Sequence, residues 1–178
     1  EAFAALRADG SVVTWGDAAY GGDSSAVAAQ LDGTIDVTQV FSTYGGAFAA
    51  LRSDGSLVTW GISWGGGDSN PVGAQIDGSI DVTQLASTFW AFAALRTDGS
   101  VVAWGISSYG GDSSAVAAQI DGTIDVTQVA ATDSAFAALR VDGSVVTWGD
   151  SRYGGDSSAV AAQIGGALDV TQLFSTVS

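Results

Sequence analysis

The 178-residue chain has no cysteine, no histidine and no methionine, and its five basic residues are all arginine. Without cysteine there is no disulfide and no thiolate centre. Without histidine it lacks the commonest metal ligand and the commonest acid–base group near neutral pH. No lysine can stand in for a missing base, so no nucleophile–base–orienter trio can be assembled. Glycine-rich loops without a lysine match no phosphate-binding signature. Carboxylate pairs of the kind glycosidases use remain conceivable. Yet the abundant aspartates recur unit by unit, whereas a catalytic site needs a singular arrangement. No apolar run reaches the length of a bilayer span. No signal-peptide pattern and no initiator methionine are seen, and the chain starts one residue before a repeat at Glu1. It reads as an excised, processed or engineered piece of something longer.

What is present is acid and apolar residue. Nineteen acids against five bases give 5 − 19 = −14. Such a polyanion repels nucleic acid and anionic lipid. It suits a saline, extracellular or cell-surface setting, where salt screens self-repulsion. Hydrophobic residues make up 47% and mean hydropathy is +0.30, so the chain can bury a core.

The organising feature is an internal repeat. Four units run 2–46, 47–90, 91–134 and 135–178, with no linker between them, so the chain reads as one repeat domain. Each opens AFAALR, passes Asp-Gly-Ser to Trp-Gly, continues through Gly-Gly-Asp-Ser and closes on Asp-Val-Thr-Gln. In the first unit, Ala2–Arg7 and Ser11–Trp15 read as strands joined by the hairpin turn Asp9-Gly10, where glycine accepts a positive φ. Asp23-Ser24-Ser25 before Ala26–Leu31 reads as an N-cap with one or two turns of helix that must dock on the sheet. Val37–Thr43 reads as a third strand. Unit boundaries fall between the Val-Thr-Gln strand and the next AFAALR strand. If those pair, each sheet draws on two units, and pairing Val170–Thr176 with Ala2–Arg7 would close a ring without exposed edges.

The run Ala5-Leu6, Asp9-Gly10, Val12–Gly16, Tyr20–Gly22 and Val37–Val40, recurring in all four units, resembles the repeat of the regulator-of-chromosome-condensation family. The resemblance covers the whole chain. It implies a β-propeller that displays loops to protein partners. The guanine-nucleotide-exchange activity of some members rests on loop residues with no counterpart to map here. The family's histidine before the Ala-Leu strand is absent, with Phe3 nearby, and family blades are longer and usually seven in number.

The expected fold is therefore mainly β with short helical segments, a tandem-repeat, propeller-like array of four blades that a second chain could complete to eight. An open β-solenoid or filament segment is the alternative. In either, each unit packs only on its neighbours. Trp15, Trp60, Trp104 and Trp148 recur and belong to the packing between units, although a ring of aromatic platforms for sugars or peptides is the other use of such a set. Trp64 and Trp90 occur in single units and are better partner-contact candidates. Tyr20, Tyr109, Tyr153 and the unrepeated Arg152 lie in the loops that vary between units. Asp23, Asp68, Asp112 and Asp156 follow Gly-Gly and either cap the helical segment or, as loop carboxylates, hold Ca²⁺. Asp36, Asp81, Asp125 and Asp169 read as turn carboxylates that Arg7, Arg52, Arg96 and Arg140 can neutralise. The functional expectation is a non-catalytic scaffold that binds a protein or assembles with itself, with no required cofactor. The alternatives are a purely structural filament or sheath segment and a calcium-dependent or carbohydrate-binding adhesin.

Overall fold

The protein's structure, a computed structural model, describes residues 1–176. Two strands form the first hairpin, β1 (Ala2–Leu6) and β2 (Val12–Gly16), in an antiparallel register that sets Phe3 opposite Trp15. The turn between them closes as the Asp-Gly pair predicts. Gly10 takes φ 75°, its N–H donates to Arg7 O at 3.1 Å, and Asp9 Oδ1 accepts from the Ser11 N–H and hydroxyl. A side chain at Gly10 would be strained there and would strike Asp36.

Each later sheet draws its strands from two units, as the phase of the repeat predicts. Strand β3 (Val37–Ser42) pairs with β4 (Ala47–Arg52), which pairs with β5 (Leu57–Gly61). The same order recurs in β6 (Val82–Ser87), β7 (Ala91–Arg96) and β8 (Val101–Gly105). It recurs again in β9 (Val126–Ala131), β10 (Ala135–Arg140) and β11 (Val145–Gly149). The register slips in each first strand between its valine and its glutamine. The intervening threonine fills the bulge, and its hydroxyl donates to the facing leucine carbonyl: Thr38 to Leu51, Thr83 to Leu95, Thr127 to Leu139.

Three-stranded sheets stacked face to face bury both faces of their middle strands. Along β4, Ala47, Ala49 and Leu51 pack toward the following sheet, while Phe48 and Ala50 pack toward the preceding one. That two-sided burial is why AFAALR reads as a continuous apolar run instead of an alternation. Alanine at the sheet centre lets neighbouring sheets approach. The first hairpin has no sheet before it, so Phe3 and Trp15 remain 65% and 51% exposed.

The structure corrects three expectations. The segments after Gly-Gly-Asp-Ser are 3₁₀ turns at Ser25–Gln30, Asn70–Gln75 and Ser114–Gln119, and only the fourth ends in a short α-helix, α1 (Ala161–Ile164). The carbonyl that ends each 3₁₀ turn is committed to the sheet, Leu31 O accepting from Val12 N–H, so no further helical turn can follow. Second, the arginines pair with the hairpin-turn aspartates and not with Asp36, Asp81 or Asp125. Arg52–Asp54, Arg96–Asp98 and Arg140–Asp142 lie 3.6, 3.5 and 3.4 Å apart, a reach set by their closeness across the turn. Third, Val170–Thr176 forms no ladder, and β1 pairs with β2 alone, so the array does not close on itself. Instead, Gln128 clamps this last segment, its amide bonding both the N–H and the carbonyl of Leu173.

Candidate partner-binding surface

After β2, β5, β8 and β11 the chain makes a single 3₁₀ turn, at Ala18–Tyr20, Ser63–Gly65, Ser107–Tyr109 and Ser151–Tyr153. A left-handed glycine ends each turn and aims the preceding residue to one end of the sheets. Three units place tyrosine there, and the second unit places Gly65. The missing ring is supplied from elsewhere in the chain. Trp90 occupies the space, so that a methyl group on Gly65 would meet its ring at 2.7 Å, and one on Gly45 would fall inside it.

Around Trp90 the unrepeated aromatics converge. Trp64 tilts against it with ring centres 4.5 Å apart, and Phe89 touches it at 5.1 Å. Phe89 also meets Tyr44 at 4.6 Å and Tyr109 at 6.2 Å. Backbone bonds fix these loops in a staircase: Gly45 N–H donates to Phe89 O and Phe89 N–H to Asp133 O, each at 2.8 Å. Tyr44 is 84% and Trp64 56% exposed. Between Tyr20, Tyr44, Phe89 and Trp90 lies a groove of about 680 Å³ that also reaches Glu1 and Phe3.

At the fourth unit Arg152 stands over the Tyr153 ring at 5.9 Å and grips Asp150 through Nε and Nη2. That grip, with the Arg152 N–H and the guanidinium charge, holds the Asp150 carboxyl below its ordinary range. Asp150 in turn raises Arg152 further, with the Tyr109 and Tyr153 phenols adding a little. Trp64, Trp90 and Tyr109 are thus joined by ring contacts, and Tyr20 shares their groove. Tyr153 and Arg152 hold the equivalent position one unit on. Tyr44 and Phe89 escaped the sequence reading. Their signal was an aromatic at the closing loop of units one and two, where the third unit has Asp133.

The recurrent tryptophans divide. Trp60, Trp104 and Trp148 are buried and donate their indole N–H to Gly21, Gly66 and Gly110 of the preceding unit. Trp15 is exposed, stacked only on Phe3. Asp23, Asp68, Asp112 and Asp156 each accept, through Oδ1, the N–H two residues on. The polar clefts between successive units hold them in pairs, Asp23 with Asp68 and Asp112 with Asp156. Among the described residues no three carboxylates come together. These clefts recur with the repeat, whereas the groove at Trp90 draws on the unrepeated Tyr44 and Phe89.

The profile of the Regulator of chromosome condensation (RCC1) repeat matches residues 126–154, which span the β9–β10–β11 sheet and the turn after it. Among solved structures, Prp20p from Saccharomyces cerevisiae, described with its binding properties to Gsp1p and histones, superposes at TM-score 0.58 and 20% identity. The match covers 86% of this chain and 43% of that one. Human WBSCR16 gives 0.53 and 22%, over 83% and 45%. The entire ectodomain of the Physcomitrella patens receptor kinase CR4 gives 0.51 and 18%, over 80% and 34%. The chain thus spans less than half the length of each of these structures. No curated protein matches the chain by sequence. The sheets stack as the blades of a β-propeller, and residues 126–154 match the repeat of the regulator-of-chromosome-condensation family.

Proposed function

We propose that the chain is a non-catalytic scaffold that binds a protein partner through the aromatic strip at one end of its blades. One observation carries this reading: Tyr44, Trp64, Phe89 and Trp90 come from positions the repeat does not dictate, yet they assemble into one partly exposed patch. None of them belongs to the buried clusters between the blades. Aromatic clusters held on rigid turns are the usual anchors of protein interfaces. With a net charge of −14 on the chain as a whole, the favoured partner presents apolar side chains flanked by lysine or arginine. The binding of proteins by Prp20p supports the scaffold role. The ectodomain setting of the CR4 relative, together with the acidic balance, supports work outside the cell or at its surface. The exposure of Trp64 favours a second reading, a stacking platform for a sugar ring.

A random-peptide display selection against the 178-residue chain tests the first reading. The expected peptides combine apolar and basic residues, and they bind the double variant Tyr44→Ala/Trp64→Ala about tenfold or more weakly. Peptides that bind the variant as well as the parent would refute the strip as the site. So would the absence of any peptide alongside a glycan-panel hit that the same variant loses.

A further inference from the structure

The two ends of the array are complementary halves of an interface that the chain builds internally three times. At each internal junction, a tryptophan indole donates to a glycine carbonyl of the preceding unit, Trp60 to Gly21, Trp104 to Gly66 and Trp148 to Gly110, at 2.9 to 3.1 Å. The phenylalanine stacked on each tryptophan covers the same glycine so closely that a methyl there would meet the Phe48, Phe92 or Phe136 ring at 2.6 to 2.7 Å. At the first end, Phe3 and Trp15 are stacked in the same way, but they face outward. At the last end, Gly154 holds the same left-handed conformation, φ 101°, and nothing lies within 4 Å of where its side chain would be.

The strands show the same complementarity. Each internal blade takes its first strand from one unit and the next two from the following unit. Strands β1 and β2 lack that first strand, and Val170–Thr176 carries its sequence, Val-Thr-Gln, without a hairpin to join. An open edge beside a chain segment with the matching pattern is the condition for strand addition.

We propose that a second copy of this chain docks head to tail here, its Val170–Thr176 segment completing the blade begun by β1 and β2. The register follows from β3 and β4, where Val37 faces Arg52, Gln39 faces Leu51, Val40 faces Ala50, Phe41 faces Ala49 and Ser42 faces Phe48. Val170 of one copy therefore faces Arg7 of the other. Gln172 faces Leu6, Leu173 faces Ala5, Phe174 faces Ala4 and Ser175 faces Phe3, with Thr171 in the bulge. The Trp15 indole donates to the Gly154 carbonyl across the junction, and the Phe3 ring covers Gly154. The exposed Phe174 side chain enters the packed face that Phe41 occupies in the second blade. Because the two surfaces differ, the contact is heterologous, and it either closes a ring or grows a filament. It takes up the Glu1–Ala4 side of the groove at Trp90, and it does not depend on the function proposed for the aromatic strip.

Sedimentation and light scattering across a dilution series test the docking on the 178-residue chain. The parent should at least double its mass between dilute and concentrated samples, while its tryptophan emission shifts to the blue as Trp15 is covered. Trp15→Glu removes the head, and Phe174→Pro removes the tail. Both residues are exposed, so each variant should keep the parent's circular dichroism and stay a single chain at every concentration. Mixed in equal amounts, the two variants have one intact head and one intact tail between them and should stop at a pair. Phe3→Glu serves as a second head variant should Trp15→Glu lose structure. A parent that stays a single chain throughout overturns the proposal. So do variants that associate as the parent does, or a mixture that grows past two.

Discussion

Trp104 donates its indole N–H to the carbonyl of Gly66, 3.0 Å away in the preceding unit, and so fastens one blade to the next. Trp104→Phe keeps most of the ring and leaves that buried carbonyl without its donor, at a cost of about 1–3 kcal/mol. Trp15→Phe makes the same chemical change at the exposed copy and should stay within about 0.5 kcal/mol of the parent. Urea melts of the two variants in dilute solution compare the positions directly. Equal losses would mean that the bond between blades is not what holds them.

Gly66 and Gly154 separate backbone strain from packing. Both sit at positive φ, 104° and 101°, so alanine strains either one by about 1–2 kcal/mol. At Gly66 the new methyl also meets the Phe92 ring at 2.7 Å, whereas at Gly154 it meets nothing. Overpacking adds about 1–3 kcal/mol. Gly66→Ala should therefore unfold at distinctly lower denaturant than Gly154→Ala, measured at a concentration where the chain is single. Identical midpoints would show that the junction has room to give.

The repeat made the hairpins and the pairing across units legible. Asp-Gly turns mark one, and the phase of the Val-Thr-Gln strand marks the other. The rest depends on contacts that sequence order does not reveal. Trp90 replaces a tyrosine that Gly65 omits, a substitution between two loops brought together only by the fold. The arginines pair with the turn aspartates two residues on, while the Asp36 carboxylate lies against Gly10. Val170–Thr176 has a strand's composition, but a strand also needs a partner edge, and none within the chain meets it. The first of the 3₁₀ turns stops where the sheet claims the Leu31 carbonyl, a contact that the composition of the segment does not show.

Acid should act through the hairpin-turn aspartates. The Ser144 hydroxyl and N–H hold the Asp142 carboxyl below its ordinary range against an opposing effect of burial, with Arg140 adding to the lowering. At Asp54 and Asp98 burial pushes upward most, but the paired serine and arginine outweigh it. A carboxyl whose value is lower in the folded state stabilises fully above its unfolded value, and that contribution disappears as pH falls through the folded one. The melting midpoint should therefore stay level from neutral pH to about 5 and drop below about pH 4, the ordinary aspartate value. The triple variant Ser56→Ala/Ser100→Ala/Ser144→Ala should show a shallower drop. A midpoint that climbs on acidification would mean that relief of the chain's own negative charge outweighs these turns.

The Gly45–Trp90 contact can be tested by reversal. Gly45 has no left-handed strain to explain its presence, and its neighbour is the face of the Trp90 ring. Gly45→Ala in the parent must push that ring aside, at a cost of about 1–3 kcal/mol, and must disturb the contact with Trp64. In a Trp90→Ala background the same methyl enters vacated space and should change stability little. The difference between the two backgrounds is the coupling, expected at about 1–3 kcal/mol for side chains in direct contact. Near-ultraviolet circular dichroism offers a second readout, because the paired indoles of Trp64 and Trp90 should lose their joint signal in each single variant. Full additivity, with that signal intact in Gly45→Ala, would mean that Trp90 does not occupy the place left by the missing tyrosine. The aromatic strip would then lose its centre.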